Sequence, residues 1–502
     1  MFKKILIANR GEIAVRILRA CRELNIRTVG VFSEADRASL HVRLADEALP
    51  IGPAPSRDSY LRIDKLLDAA KKTGCDALHP GYGFLAENPA LPRACADAGI
   101  TFIGPSADAM EAMGSKTAGK QLARRAEVPT VPGTSDPVEN PEEAQALARS
   151  MGYPILLKAI AGGGGKGMRI VASDAAFAAA WRDAASEALN AFGDPRVFLE
   201  KYLVGPRHIE IQILADAHGR VVSLGERECS VQRRHQKVIE EAPSPVVTPD
   251  LRKRMGEAAV RLARAGGYVN AGTVEFLVDA DLNFYFLEVN TRLQVEHPVT
   301  EQVTGLDLVK LQIAIAAGHR LPFAWEAITP RGHAMEVRLY AEDPDNNFFP
   351  SPGKILARHA PTGPGIRLDE GVYEGWNVPM EYDPLLSKLI AWGNSREETV
   401  ARLRRALDEY VITGIRTNVS LFRRILNEPE FLNAEIHTKW LDELLSRQRS
   451  TPSAPDLGVE DAVAIAAAVW GSVQSNGSTQ PATQAASRWK MEGRRQQLDR
   501  MP

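Results

Sequence analysis

The first hundred residues alternate between strands and helices, and this order limits the fold more than any other feature of the chain. Apolar patterning predicts a strand over residues 3–8, a helix over 12–23 and a strand over 27–32, with a turn at Gly11. Strands that are joined by a helix pair in parallel. Apolar runs at 77–79 and 100–103 continue the alternation. We therefore expect an α/β fold that opens with a Rossmann-like domain over residues 1–113.

The composition excludes several classes of protein. A chain of 502 residues, 44% of them hydrophobic and 25% charged, is long enough for several globular domains. Its 61 basic and 63 acidic side chains nearly cancel, so no overall field favours nucleic acid or an anionic membrane. The N-terminus does not resemble a signal peptide, and no window approaches the roughly 18 apolar residues of a membrane span. We expect a cytoplasmic protein that binds neither nucleic acid nor membrane.

The four cysteines lie far apart in the sequence. They are Cys21, Cys75, Cys95 and Cys229, and their spacing is not that of metal ligands. We interpret them as reduced thiols that fill the core of a protein in a reducing compartment.

Three further segments follow the first domain. Two strand patterns, at 155–160 and 168–171, flank a glycine run and predict a hairpin within a linker and lid over residues 114–203. Residues 204–446 are expected to form the catalytic segment, because strand patterns recur there at 208–214, 221–226, 273–278 and 284–289 and helices follow. The polar stretch 474–487 is typical of a linker, so we expect residues 447–502 to be a flexible tail.

A glycine run indicates contact with phosphate. Lys158 precedes a stretch that contains five glycines and one lysine: Gly162, Gly163, Gly164, Gly165, Lys166 and Gly167. Glycines lack a Cβ atom and let backbone N–H groups approach phosphate oxygens closely. The run matches neither the P-loop nor the dinucleotide-binding fingerprint, which favours a nucleotide fold of another type. The alternative interpretation is a flexible hairpin tip.

A second motif places polar side chains at every even position from 288 to 296. These are Glu288, Asn290, Arg292, Gln294 and Glu296, and Glu275 lies upstream. In an extended segment, residues two apart share a face, so the five side chains would line one wall. Carboxylate and amide oxygens suit Mg²⁺, and a guanidinium suits a planar oxyanion such as bicarbonate. The alternative is the solvated face of an edge strand.

A third motif is the polar run from Gln232 to Lys237, which follows the strand pattern at 221–226. Alone it is typical of an exposed basic loop. Together with the other two motifs it becomes a candidate for phosphate contact.

These residues make the chain resemble the biotin carboxylase family over about residues 1–446. The segments that carry the resemblance are KILIANRGEIAVRILRAC (4–21), HPGYGFLAENP (79–89), IGPS (103–106), KAIAGGGGKGMR (158–169), EKYL (200–203), RHIEIQ (207–212), ERECSVQRRHQKVIEEAP (226–243), LEVNTRLQVEHPVTE (287–301) and EVRLYAEDP (336–344). The resemblance implies a three-domain ATP-grasp enzyme with an N-terminal Rossmann-like domain, a mobile glycine-rich lid and a C-terminal α+β domain.

The resemblance also implies roles for individual residues. The ATP site would consist of Lys116, Lys158, Gly163, Gly164, Gly165, Lys166, Gly167, Glu200, Lys201, Tyr202, Leu203, His208, Gln232, His235, Glu275 and Glu288. Mg²⁺ or Mn²⁺ would be bound by Glu275, Glu288 and Asn290. Bicarbonate would be bound by Lys237, Arg292, Gln294 and Val295. Biotin would contact Arg338, Tyr82 and Gly83.

Catalysis would then rest on Arg292, Glu296, Lys237 and Arg338. The resemblance implies that Glu296 deprotonates bicarbonate, which attacks the γ-phosphate of ATP and forms carboxyphosphate. Arg338 would stabilise negative charge on the biotin ureido group. The chain has no Ala-Met-Lys-Met biotin attachment sequence, because its only Lys-Met pair is Lys490-Met491. Biotin is therefore expected on a separate carrier protein, with carboxyltransferase subunits as further partners and a homodimer as the assembly.

Several functions stay open at this point. The expected reaction is the first half-reaction of acetyl-CoA carboxylase in fatty acid synthesis, and a propionyl-CoA, other acyl-CoA or pyruvate carboxylase is the alternative. Another ATP-grasp ligase, which joins a carboxylate to an amine, is a rival because fold alone does not decide function. A non-catalytic protein that only senses nucleotide is a third.

Overall fold

The computed structural model describes residues 1–134, 138–159, 168–192, 196–322 and 329–450. Gly163, Gly164, Gly165, Lys166 and Gly167 of the expected ATP site lie outside these residues, and so does most of the expected tail. The chain forms two compact units, Met1–Asp442 and Glu443–Pro502. In the part that is described, no helix has both the length and the apolar character that a membrane crossing requires.

The first five strands form the parallel sheet that the opening pattern predicts. Their order is β3-β2-β1-β4-β5, and every neighbouring pair is parallel. The elements in chain order are β1 (Lys4–Ile7), α1 (Gly11–Glu23), β2 (Arg27–Ser33), α2 (Leu40–Leu44), β3 (Glu47–Gly52), α3 (Ile63–Thr73), β4 (Ala77–His79), α4 (Ala90–Asp97), β5 (Thr101–Phe102) and α5 (Ala107–Gly114).

The turn between β1 and α1 has a local cause. Gly11 has φ +64°, a left-handed conformation that residues with a Cβ atom rarely adopt. Helix α1 then buries Ile13 and Ile17 against the sheet, in the i, i+4 spacing of an amphipathic helix. The turn thereby places the start of α1 beside the carboxyl ends of β1 and β4, where ligands bind in open parallel sheets.

The next segment contains a small three-stranded sheet in the order β7-β6-β8. Strands β6 and β7 pair antiparallel, so the predicted hairpin is confirmed. This sheet has a core of its own, which includes Ile155, Leu157 and Trp181. The elements are α6 (Lys116–Arg125), α7 (Pro141–Met151), β6 (Ile155–Ala159), β7 (Met168–Val171), α8 (Asp174–Phe192) and β8 (Val197–Lys201).

Among the described residues, the largest sheet has eight strands and is antiparallel throughout. Their order is β13-β12-β9-β10-β11-β14-β21-β19. The elements from here to the last described helix are β9 (Arg207–Ala215), β10 (Val221–Arg233), β11 (Gln236–Ala242), α9 (Pro249–Ala265), β12 (Asn270–Val278), β13 (Phe284–Asn290), α10 (His297–Thr304), α11 (Leu308–Ala316), β14 (His333–Tyr340), β15 (Glu342–Asp343), β16 (Phe349–Pro350), β17 (Gly353–Lys354), β18 (Ala357–His359), β19 (Ile366–Glu370), β20 (Asn377–Val378), β21 (Leu385–Gly393), α12 (Arg396–Glu409), β22 (Val411–Thr413), α13 (Val419–Ile425), α14 (Pro429–Leu432) and α15 (Trp440–Ser450).

The prediction of one extended segment from Glu288 to Glu296 is wrong beyond Asn290. Strand β13 ends at Asn290, and Glu296 has φ −81° and ψ 11°, outside the extended region. The chain has to turn here because α10 begins at His297, with Pro298 in its first turn. The alternation of polar residues in the sequence therefore continues beyond the end of the strand and into the bend.

Candidate functional site

The ammonium group of Lys237 lies at the centre of a cluster of carboxylates. Its Nζ donates to Glu210 at 2.6 Å and to Glu275 and Glu296 at 2.7 Å each. Lys237 lies near the start of β11, and the three acids come from β9, β12 and the turn before α10. Four separate pieces of the chain thus converge on one nitrogen atom.

A fully buried arginine, Arg227, contacts this cluster through Glu210. Arg227 forms an ion pair with Glu210, and it donates to Gln212 at 2.7 Å and to Thr300 at 2.9 Å. Neither the arginine nor Glu210 is exposed to solvent at all. The contact with Thr300 links the cluster to α10, so Arg227 ties the β9–β10 pair to the helix that follows Glu296.

The electrostatics of the cluster favour the charged forms of Lys237, Glu275 and Glu296. Burial opposes ionisation of Glu296, but Lys237, Arg338 and Arg227 together hold the pKa of its carboxyl well below the usual range. Glu275 is similar: burial raises its pKa, and the charges of Lys237 and His208 outweigh this and lower it. Burial lowers the pKa of Lys237, yet the surrounding acids raise it well above its ordinary value. Glu210 differs, because burial raises the pKa of its carboxyl although the charges of Arg227 and Lys237 oppose this.

The three residues expected to bind a divalent metal lie together on one face of a strand pair. Glu275 on β12 is directly opposite Glu288 on β13, and Asn290 follows Glu288 at the strand end. The amide of Asn290 donates to Glu275 at 2.8 Å. Cross-strand neighbours have close Cβ atoms. Two carboxylates and an amide oxygen are hard donors, so these residues fit Mg²⁺ or Mn²⁺.

The bend after β13 brings the predicted oxyanion residues to the same place. Arg292 Nη1 donates to the Gln294 side chain at 3.2 Å, and its Nη2 donates to Asn290 at 3.3 Å. Gln294 in turn donates to Glu275 at 3.3 Å. These hydrogen bonds hold the side chains of Asn290, Arg292 and Gln294 in one site, although the segment that carries them is not extended.

Arg292 is held by a carboxylate from the first domain. Glu87 accepts from Arg292 Nε at 2.9 Å and from the backbone N–H of Thr291 at 3.0 Å. Since Glu87 lies 205 positions earlier in the chain, the contact joins the N-terminal sheet region to the central sheet. It fixes the plane of the guanidinium group, on which bidentate recognition of an oxyanion depends.

Arg338 bridges two carboxylates. One of its terminal nitrogens lies 2.9 Å from Glu296 and 2.6 Å from Glu240. All three side chains are buried or nearly so. Burial raises the pKa of Glu240 to about 7, and the positive charge of Arg338 limits that rise. The expected base Glu296 is thus in contact with both Lys237 and Arg338.

A cavity of about 440 Å³ joins the bicarbonate and biotin residues. Arg292, Val295 and Arg338 line one part, and Tyr82 and Gly83 line another. The remaining lining residues are Asn9, Arg10, Gly11, Glu12, Ile13, Ser56, Phe84, Tyr340, Glu381, Tyr382, Asp383 and Leu385. A volume in this range suits a small organic ligand.

Part of the expected nucleotide site lies in the three-stranded sheet. Lys158 on β6 forms an ion pair with Glu200 on β8, and Lys120 forms another with the same carboxylate. Lys201 instead points to backbone, because its Nζ donates to the carbonyl of Gly152 at 2.7 Å. The placement of the Lys116 side chain lies outside what the structure describes.

The other expected nucleotide residues are placed less uniformly. Gln232 contacts His208 at 2.9 Å, and His208 lies 3.0 Å from Glu275, so both adjoin the central cluster. His235 lies exposed in the tight β10–β11 turn with φ +67°. Tyr202 accepts from Lys439 at 2.6 Å, and Leu203 follows β8 in a segment without regular structure. The structure thus brings His208 and Gln232 into the cluster and leaves His235 outside it.

Two groups of side chains in the cluster have donor atoms close enough for a shared metal ion. They are His208 with Glu210 and Glu275, and Glu210 with Cys229 and Glu296. Burial raises the pKa of the Cys229 thiol well above its ordinary value, so the thiolate that metals require is disfavoured. Cys229 and the other three cysteines are free and buried, and the prediction that they fill the core is confirmed.

Sequence reasoning missed several residues of this site. They are Glu87, Lys120, Glu210, Arg227 and Glu240. Three of them, Glu210, Arg227 and Glu240, lie in strands that also contain other polar residues, so no isolated charge in an apolar run distinguished them. The partners could not be identified from spacing, because each contact joins different segments of the chain.

Three protein-family models match the chain. The Biotin carboxylase, N-terminal domain model matches residues 1–110. The model of the Carbamoyl-phosphate synthase L chain, ATP binding domain matches residues 115–324. The Biotin carboxylase C-terminal domain model matches residues 336–443.

Curated proteins and solved structures are similar over the same region. A pyruvate carboxylase subunit of Methanothermobacter thermautotrophicus is 54% identical over 444 residues, covering 88% of this chain and 90% of that protein. A biotin carboxylase of Halalkalibacterium halodurans is 54% identical over 441 residues, covering 88% and 97%. The biotin carboxylase domain dimer of Hydrogenobacter thermophilus 2-oxoglutarate carboxylase, in complex with MgADP, ADP and bicarbonate, has a TM-score of 0.79 and 46% identity, covering 88% and 98%.

Proposed function

The chain belongs to the biotin carboxylase family and is an ATP-dependent ligase, and we propose that it uses MgATP and bicarbonate to carboxylate biotin on a carrier protein. The observation that carries this proposal is the position of Glu296, which contacts Lys237 on one side and Arg338 on the other. A base between a phosphate-binding cation and a biotin-binding cation suits two consecutive steps. The proposal includes four segments of the chain: an N-terminal domain over residues 1–113, a linker and lid over 114–203, a catalytic and C-terminal segment over 204–446, and a tail over 447–502.

In the first step Glu296 accepts the proton of bicarbonate. Arg292 and Gln294 orient the planar anion, and its oxygen attacks the γ-phosphorus while the bond to the ADP oxygen breaks. Lys237 neutralises charge on the transferred phosphoryl group. Lys237 contributes most among the cations that lower the pKa of Glu296. If its ammonium moves from Glu296 to a phosphate oxygen, Glu296 becomes a stronger base at the moment when the proton must leave.

The metal would be bound by Glu275, Glu288 and Asn290, whose oxygens lie on one face of β12 and β13. When bound, Mg²⁺ or Mn²⁺ supplies positive charge beside the phosphates of ATP. The glycine run at 162–167 and Lys158 would cover the phosphates, with Lys116 as a further contact, and residues 200–203 would bind the adenine.

In the second step carboxyphosphate splits into CO₂ and phosphate next to biotin in the cavity, the phosphate accepts the proton of the ureido N–H, and the ureido nitrogen forms a bond to CO₂. Arg338 stabilises the negative charge that develops on the ureido oxygen. Tyr82 and Gly83 line the opposite part of the same cavity, so biotin would lie between them and Arg338. The same guanidinium that contacts Glu296 in this structure would then contact the substrate.

The carboxyl group is passed on to an acceptor by a carboxyltransferase. We propose acetyl-CoA as the acceptor, in the context of fatty acid synthesis. A pyruvate acceptor is the second candidate, since the pyruvate carboxylase subunit of M. thermautotrophicus is 54% identical to this chain. Assay of the carboxyltransferase that copurifies with the protein, with acetyl-CoA, propionyl-CoA and pyruvate in turn, distinguishes them.

The proposed reaction has a direct test. ADP release by the purified protein is measured with MgATP, with and without bicarbonate, and with and without free biotin. Bicarbonate-dependent ADP release that biotin stimulates, together with carboxybiotin as product, supports the proposal. A carboxylate–amine ligase instead releases ADP only when its amine and carboxylate substrates are present, and a nucleotide sensor releases none.

A further inference from the structure

Lys388 is a fully buried cation that reaches the bicarbonate-side turn. It lies on β21 between the buried residues Leu386 and Ile390, and none of its side chain is exposed. Its Nζ donates to the backbone carbonyl of Val295 at 2.7 Å. Lysine is almost never fully buried without partners. Burial of a charge at this strand position costs free energy that an apolar side chain would not cost, so we looked for a function of the lysine.

The neighbours of Lys388 compensate its charge. Glu12 of α1 lies 3.3 Å from Nζ, and Asp369 on β19 is directly opposite Lys388 across the sheet. On its other side, Arg338 on β14 is also directly opposite. Lys388 is therefore the cross-strand neighbour of the arginine that faces Glu296, and it contacts the residue that precedes Glu296.

The contact with Val295 determines how one peptide unit is oriented. The bond between Val295 and Glu296 is trans, and the C=O and N–H groups of a trans peptide point in opposite directions. Because Lys388 binds the carbonyl of Val295, the N–H of Glu296 points to the opposite side.

His297 acts in the same way on the preceding peptide. Its Nδ1 contacts the carbonyl of Gln294 at 2.8 Å and must carry the proton there, since a carbonyl only accepts. The N–H of Val295 therefore points away from His297. Within the described residues, the N–H groups of Val295 and Glu296 meet no protein acceptor. Two adjacent donors are thus left for an anion.

We propose that Lys388 is a positioning residue that orients the Val295–Glu296 peptide for binding the bicarbonate oxyanion. The inference rests on the proposed function, because it concerns the same anion site. Lys388 does not itself line the cavity, whereas Val295 does. Its effect on bicarbonate passes through the backbone of the turn.

The experiment compares Lys388→Met with the wild type. Methionine preserves the length and apolar stem of the side chain but cannot donate to the carbonyl. The KM for bicarbonate in ADP release should rise about tenfold, as expected for loss of one hydrogen bond from a charged group, while the KM for ATP stays unchanged. A purely structural lysine would lower the unfolding temperature without separating the two KM values.

Two further variants complete the test. Arg358→Met is the matched control, since it removes a largely buried ion pair with Glu370 on β19, and it should leave both KM values unchanged. The double variant Lys388→Met/Glu12→Gln removes the carboxylate that the single change leaves uncompensated. It should show a raised KM for bicarbonate relative to Glu12→Gln alone, which is the reference because Glu12 lines the cavity.

The outcomes separate this inference from the proposed function. A wild-type protein without bicarbonate-dependent ADP release refutes the proposed function and with it the role of Lys388. An active wild type with an unchanged KM for bicarbonate in Lys388→Met refutes only the positioning role. Failure of both Lys388 variants to fold, while Arg358→Met folds, would assign the lysine to stability and also overturn the inference.

Discussion

Arg338 and Glu296 lie 42 residues apart in the chain and 2.9 Å apart in space, and both are buried. The pair joins β14 to the turn before α10. Arg292 lies in the same turn but contacts Glu87 and Gln294 instead. The two arginines therefore belong to different parts of one site. Removing each of them should affect the two half-reactions differently.

Arg338→Ala should uncouple the two half-reactions. In the proposed mechanism its guanidinium acts on charge that develops at biotin, so bicarbonate-dependent ADP release should be retained better than carboxybiotin formation. Arg292→Ala should depress both, because it removes the group that we propose orients bicarbonate before phosphoryl transfer. ADP and carboxybiotin are measured side by side in steady state. Equal losses of both activities in Arg338→Ala would refute its proposed role.

Glu288→Gln should abolish turnover at ordinary Mg²⁺ concentrations and weaken nucleotide binding less than a lysine change. Glu288 faces Glu275 across β12 and β13, and an amide is a poorer ligand for Mg²⁺ than a carboxylate. Glu275→Gln should behave alike. ADP release is titrated with Mg²⁺, with Asp281→Asn in the exposed β12–β13 turn as the control. Full activity of Glu288→Gln would contradict the metal assignment.

Asp36→Asn should lower stability near neutral pH and have less effect in acid. Asp36 is fully buried and accepts from Arg10 at 2.6 Å. Burial raises its pKa, but the bonds from Arg10 outweigh this and lower it from 3.8 to about 2. The ionised group therefore stabilises the fold above about pH 4, by about 2 kcal/mol, and this contribution is lost as the pH falls towards 2.

Urea unfolding at pH 6 and pH 3 tests the Asp36 prediction. The difference in midpoint between wild type and Asp36→Asn should be smaller at pH 3. Asp68→Asn is the control, since its pair with Lys72 is largely exposed and such pairs contribute little. The same difference at both pH values would show that Asp36 does not act through its charge.

The protein should form a homodimer in solution. The biotin carboxylase domain of H. thermophilus 2-oxoglutarate carboxylase, which this chain resembles, forms a dimer, and closed two-fold association is the usual solution for oligomers. Sedimentation equilibrium over a range of concentrations measures the mass. A strictly monomeric species that is active at high concentration would contradict the prediction.

Much of the local structure followed from the sequence, because local structure depends on periodicity and on turn residues. The parallel strands β1, β2, β4 and β5, the helix after Gly11 and the β6–β7 hairpin were all predicted near their observed bounds. The polar alternation from Glu288 to Glu296 predicted that these side chains lie together, and several of them are in contact in the structure. It did not indicate the bend after Asn290. Polar residues at every second position are also compatible with a turn in which hydrogen bonds bring the side chains together.

Only the tertiary structure decided which charges meet. Lys237 contacts Glu296 across 59 residues, Lys388 contacts Val295 across 93, and Arg292 contacts Glu87 across 205. Such pairs depend on the order of strands in the eight-stranded sheet and on its packing against the first domain, which no local pattern encodes. By itself the sequence determined the elements, the chemical groups available and, through its motifs, the family. The assembly of strands distant in sequence determined that Glu296 lies between two cations and that a buried lysine contacts the peptide beside it.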